Sequence, residues 1–135
     1  MNKESHIIAI AGGTGSGKTF LVKNLIKKYG NKHLISIGVD SYYSNLSHMN
    51  FEERSKTNFD HPNAFDFNLL VQHLTKLKDG AITSIPIYNY RTHLRSNKAR
   101  ILNQHSKIIL LEGIFALYSQ NIRRLIDYGI FIDVN

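Results

Sequence analysis

The chain has 135 residues, a length that suits one domain around a single core. Its hydrophobic share of 42% and charged share of 20% are those of an ordinary globular protein, and its apolar runs at 7–11 and 108–111 are too short to span a membrane. With no cysteine there is no disulfide framework, no thiolate metal site and no thiol nucleophile.

The N-terminal residues lead into a short apolar run without a small-residue cleavage pattern, so no signal peptide is read and a cytoplasmic location is expected. The formal net charge of +7 is the one unusual bulk number. Lys and Arg are scattered, paired only at Lys27-Lys28 and Arg123-Arg124, and no basic run is interleaved with aromatics. That pattern suits a solvated surface and a phosphorylated small molecule, so neither a nucleic-acid nor a membrane partner is expected.

In chain order, residues 7–11 form a short apolar run ending in glycine, which predicts a buried strand. A helix follows from Gly17, with Leu21, Val22, Leu25 and Ile26 on one face and Gly30 at its end. A second strand is expected over 34–39. Asp66 can cap a helix whose apolar face is Phe67, Leu70, Val71, Leu74 and Leu77, closed by Gly80. Residues 85–90 and 100–102 read as short extended pieces, a hairpin at the edge of the domain. A third core strand is expected over 107–111, a helix over 116–128 and a fourth strand over 129–134. Alternating strands and helices predict an α/β fold with a mainly parallel sheet.

Gly12, Gly13, Thr14, Gly15, Ser16, Gly17, Lys18 and Thr19 match G-x-x-x-x-G-K-[ST]. The glycines permit positive φ, so successive backbone N–H groups can point inward at phosphate oxygens. Lys18 can reach the β- and γ-phosphates, the Thr19 hydroxyl can ligate Mg²⁺, and the helix start adds its dipole. The bare pattern arises by chance in roughly one chain of this length in two hundred. Here it lies between a predicted strand and an amphipathic helix, so a nucleoside triphosphate with Mg²⁺ is the expected ligand. The fold expected is therefore a P-loop NTPase-type three-layer sandwich. Glu112 ends one apolar strand and Asp40 another. Strand C-termini in a parallel sheet converge on the ligand crevice, so both acids should face the phosphates, Glu112 as a Mg²⁺ partner.

Further blocks complete the pattern: Asp40-Ser41-Tyr42-Tyr43, Asn58-Phe59-Asp60-His61-Pro62-Asn63-Ala64-Phe65-Asp66, Pro86-Ile87-Tyr88-Asn89-Tyr90 with His93 and Arg95, and Leu111-Glu112-Gly113-Ile114. Their order and spacing resemble the uridine–cytidine kinases, from residue 7 to residue 133. The resemblance implies transfer of the ATP γ-phosphoryl group to the 5′-hydroxyl of uridine or cytidine. Asp40 matches the family's catalytic carboxylate, beside Lys18, and can touch metal-bound water. Asp60 matches the acid that holds the ribose 2′- and 3′-hydroxyls. Tyr43, Tyr88 and Tyr90 match contacts around the nucleoside, and His93 matches the residue that reads the pyrimidine edge. His61 and Pro62 are expected to fix a turn and Asp66 to cap a helix.

The resemblance also implies an arginine-rich lid, a strand and a helix beyond the strand matched by Phe131-Ile132-Asp133, whereas Val134-Asn135 end this sequence. The expectation is a single kinase domain over 1–135, cut short at its C-terminus, and two explanations stay open: a fragment of a longer kinase, or a naturally shortened relative whose turnover the lack of the lid weakens or abolishes. Asn89 stands where the family commonly has an acid. Members of that family often form tetramers, which leaves a homo-oligomer open. Two other readings of the residues stay open: a P-loop kinase for another alcohol, like phosphoribulokinase or pantothenate kinase, and a non-catalytic nucleotide-binding module.

Overall fold

The computed structural model describes residues 5–13, 15–30, 32–102 and 106–133. Strand β1 (His6–Gly12) leads into helix α1 (Lys18–Tyr29), then strand β2 (Leu34–Gly38) and a 3-10 turn (Val39–Tyr42). Helix α2 (Phe51–Ser55), a 3-10 turn (Pro62–Ala64) and helix α3 (Phe67–Lys78) follow. Strands β3 (Thr83–Asn89) and β4 (Leu94–Leu102) precede β5 (Ile108–Glu112), helix α4 (Gln120–Arg123) and β6 (Tyr128–Ile132). Four strands form one parallel sheet in the order β2-β5-β1-β6, while β3 and β4 pair antiparallel as a separate hairpin.

The period of two along β1 and β5 divides the core. Ile7, Ala9, Ala11, Ile109 and Leu111 face one side, where they pack with Leu70, Leu74 and Leu77 of α3 and with Ala116 and Ile122. Ile8, Ile10, Ile108 and Leu110 face the other, against Leu21, Val22, Leu25 and Ile26 of α1. Both faces of these strands are apolar because both are covered, as a parallel sheet requires. The result is three layers with the sheet in the middle, the α/β sandwich expected. Among the described residues, no helix is long and apolar enough to cross a membrane.

Several local expectations change. The helix expected over 116–128 shrinks to four residues, and Tyr128 opens β6 instead. Ser119 explains the late start, because its side chain caps the Ile122 N–H, while the preceding residues make only isolated turn bonds, Ala116 N–H to the Gly113 carbonyl and Tyr118 N–H to the Phe115 carbonyl. Asp127 sets the end, since its N–H is drawn to the Ile7 carbonyl at 2.8 Å. The second strand stops at Gly38, which puts Asp40 on the 3-10 turn rather than on the strand itself. Strand β4 begins at Leu94, well before the stretch expected, and Tyr90 falls in the turn between β3 and β4. Glu112 is the last residue of β5. Val134, expected in the last strand, lies outside the described residues.

Candidate functional site

Register sets Glu112 opposite both Ile10 and Gly38, and Gly12 opposite Ile132, so all four strands open their C-terminal ends at one edge. The phosphate loop lies there. Gly15 and Gly17 hold φ of 78° and 96°, the left-handed backbone that turns N–H groups inward. The helix that follows is distinctive at its start. Asn50, Asp66 and Ser119 cap the other three helices with their side chains. Helix α1 has no side-chain cap and no acid in its first turn, so its orphan N–H groups and dipole face the loop unopposed. Ser16 Oγ is buried in this loop without a hydrogen-bond partner among the described residues. Thr14 lies outside the described residues.

A cleft of about 230 Å³ is lined by Gly15, Lys18, Thr19, Asp40 and Glu112. The buried Lys18 stem brings its Nζ to the Gly13 carbonyl at 3.2 Å, and the Thr19 hydroxyl donates to Glu112 Oε1 at 2.8 Å. Asp40 keeps solvent access, yet its carboxyl is raised above its ordinary range. Partial burial contributes most, then the Glu112 charge; Lys18 opposes them, and Asp60 adds a smaller push. Gly113 makes this crowding feasible, because a Cβ there would meet Val39 Cβ at 2.8 Å. A larger side chain would pry the Asp40 turn away from the end of β5. Nothing in the sequence pattern assigns Gly113 that task.

The second half of the site is aromatic. Tyr43 stacks on Phe65 at 4.6 Å and touches Phe59 and Tyr88 at 5.1 and 5.0 Å; Tyr88 meets Tyr90 at 5.2 Å. Phe59 also stacks on His93 at 5.0 Å. The five sequence-predicted residues Tyr43, Asp60, Tyr88, Tyr90 and His93 therefore gather around one continuous run of rings, with Asp60 directly after Phe59. Phe59 is the link that the sequence reading left without a role, and only its place beside Asp60 signalled it. Burial raises the Tyr43 phenol most, and Asp40, Tyr90 and Asp60 raise it further. Tyr90 is likewise raised by burial first, then by Asp40 and Glu112. These shared influences join the aromatic half to the phosphate half. Tyr88 is buried, and its hydroxyl has no partner among the described residues.

Supporting contacts fix this half. Tyr43 bridges Phe65, the Asp66 N–H donates to the Tyr42 carbonyl at 2.7 Å, and Ser44 N–H to the Ala64 carbonyl at 2.8 Å. Asp66 caps α3 at Leu69 N–H and accepts from Arg95 Nη2 at 3.0 Å, while Arg95 Nε donates to the Tyr43 carbonyl. His61 Nδ1 accepts from Asn63 N–H, so His61 and Asp66 do serve the turn and the cap. A different cavity of about 290 Å³, beside α1 and lined by Ile8, Leu25, Leu34 and Leu110, is almost wholly apolar and offers no seat for a phosphate.

A family model described as "Phosphoribulokinase / Uridine kinase family" matches residues 7–135. A uridine kinase of Halalkalibacterium halodurans is 42% identical over 135 residues, covering all of this chain and 64% of that protein. One of Macrococcus caseolyticus is 45% identical over 129 residues, covering 96% of this chain and 62% of that protein. The chain thus spans less than two thirds of the length of these relatives. A solved structure of a possible uridine kinase from Bacillus stearothermophilus superimposes with a TM-score of 0.72 at 19% identity, over 98% of this chain and 72% of that one, which speaks for the fold. By sequence over nearly its whole length, the chain belongs to the phosphoribulokinase/uridine kinase family.

Proposed function

We propose that this chain is a kinase domain that transfers the γ-phosphoryl group of ATP to the 5′-hydroxyl of uridine or cytidine, acting in the cytoplasm. The observation that carries the reading is the junction at Tyr43. Its ring lies in the aromatic run that ends at His93, and its phenol feels both Asp40 and Asp60. A nucleoside laid along those rings would have a ribose near Asp60 and its 5′-end toward Asp40 and the phosphate loop.

In this reading Asp60 accepts from the 2′- and 3′-hydroxyls, since one ionised carboxylate can take both. Tyr43, Tyr88 and Tyr90 enclose the nucleoside, and the unsatisfied Tyr88 hydroxyl gains a polar partner from it. His93 reads the base edge, able to donate or accept by tautomer. Asp40, in the cleft beside Lys18, takes the proton of the attacking hydroxyl. Gly12, Gly13, Gly15, Ser16 and Gly17 cradle the phosphates, and Lys18 reaches their oxygens.

Mg²⁺ fits this donor set. Thr19 Oγ1 and Glu112 are hard oxygen donors in contact, with Asp40 in reach through water, and these would hold it. When bound, the ion neutralises charge on the transferring phosphoryl group. The experiment is a panel of alcohols incubated with ATP and Mg²⁺. Uridine and cytidine should be phosphorylated fastest; preference for ribulose 5-phosphate or pantothenate would sink the nucleoside reading.

A further inference from the structure

We propose that Arg54 is a positioning residue that fixes His93 through the peptide before it; the inference rests on the reading of His93 as the base-edge contact. Among the described non-glycine residues, His93 alone has a positive φ, 56°. Side chains other than glycine disfavour that left-handed backbone, so the surrounding structure must hold it there. The turn 90–93 is short of ladder bonds. Asn89 Oδ1 accepts from Arg91 N–H and Thr92 N–H at 2.9 and 3.3 Å, which fixes the entry to the turn but not its exit.

Arg54 holds the exit. The peptide joining Thr92 to His93 is one rigid plane, and its carbonyl accepts from Arg54 Nε at 2.9 Å. The same guanidinium donates from Nη1 to the Met49 carbonyl at 2.6 Å, so it spans two backbone segments with one planar fork. Lysine offers no such fork. The helix that carries Arg54 also supplies a ring. Phe51 lies 5.9 Å from the His93 imidazole at 29°, and Phe59 lies 5.0 Å from it at 18°. The Arg54 guanidinium sits over the Phe51 ring at 5.7 Å.

Helix α2 buries none of its residues, and five residues are too few for a helix to hold itself. A core role does not account for it. Its contacts instead converge on the hairpin turn, where Arg54 sets the peptide plane and the two phenylalanines set the imidazole.

The test is a double-mutant cycle read by uridine binding. The 135-residue chain, saturated with Mg²⁺ and a non-hydrolysable ATP analogue, is titrated with uridine as wild type, R54K, H93A and R54K/H93A. R54K should bind uridine about tenfold more weakly with unchanged affinity for the ATP analogue, and should cost nothing further in the H93A background. A merely structural role would add its loss to that of H93A. Additive losses, or R54K binding as wild type while H93A is impaired, overturn this inference and leave the nucleoside reading standing. H93A binding as tightly as wild type, or a wild-type chain that does not bind uridine, overturns both. If R54K also loses the ATP analogue, the His93 Cα chemical shift in R54Q decides: it should leave its left-handed value, and an unchanged shift overturns the inference.

Discussion

At Asp40, partial burial and two carboxylates, Glu112 ahead of Asp60, outweigh the Lys18 ammonium and raise the carboxyl above its ordinary value of 3.8. A carboxyl raised in the folded state binds its proton more readily there than in the unfolded chain. Its contribution to stability is therefore fullest at low pH and is lost as pH rises through the folded pKa. Asp40→Asn should accordingly raise the unfolding temperature at neutral pH, while cutting phosphoryl transfer by about a hundredfold or more. Thermal melts of the ligand-free chain and a turnover assay check both effects; a D40N chain that is less stable and fully active would contradict this account of the cleft. Asp40 and Glu112 were legible in the sequence because each follows an apolar strand. Their mutual repulsion was not, because it depends on Gly113 letting Val39 approach.

The elements show where periodicity informs and where it does not. Helix α3 was legible from its cap at Asp66 to its apolar stripe, and the core buries Leu70, Leu74 and Leu77 as that stripe requires. The stretch 116–128 has similar spacing, yet buried Ala116 and Ile122 come from a turn and a short helix respectively, so apolar spacing alone misled. The 3-10 turn that holds Asp40 depends on a bond between distant elements that no local pattern signals. Tyr42, wholly buried, meets His73 Nδ1 of α3 at 2.7 Å. Burial first, then Lys76 and Arg95, lower the His73 pKa, which favours a neutral imidazole whose Nδ1 shares one hydrogen bond with the Tyr42 hydroxyl. Tyr42→Phe should cost about 1 kcal/mol in denaturant unfolding. A loss of the same size in a chain that already lacks His73 would show the bond to be idle.

Across the whole molecule, the parallel sheet followed from alternating elements, and its strand order came only with the three-dimensional pairing. The outer strand β6 is tied at its start by Asp127, which accepts from the Ile7 N–H at 2.8 Å and lies 3.5 Å from both Lys78 Nζ and His6 Nδ1. Burial alone would raise the Asp127 carboxyl, but the Ile7 bond and the charges of Lys78 and His6 hold it below its usual range. A depressed carboxylate stabilises the fold above its unfolded pKa and ceases to do so as pH falls through the folded one. Asp127→Asn should thus cost about 1 kcal/mol at neutral pH, allowing for solvent screening, and nothing in strong acid. Melts at the two pH values check it; an equal loss at both would contradict the charge argument.

The tie at β6 and the strand ends beside it support the arrangement we propose, a phosphate grip facing a nucleoside seat. The most direct measurement is calorimetric binding of ligands to the chain loaded with Mg²⁺ and a non-hydrolysable ATP analogue. Uridine should bind, and 2′-deoxyuridine on the order of a hundredfold more weakly, because in this reading Asp60 loses a hydroxyl partner. Equal binding of uridine and 2′-deoxyuridine, or tighter binding of ribulose 5-phosphate, would contradict the account.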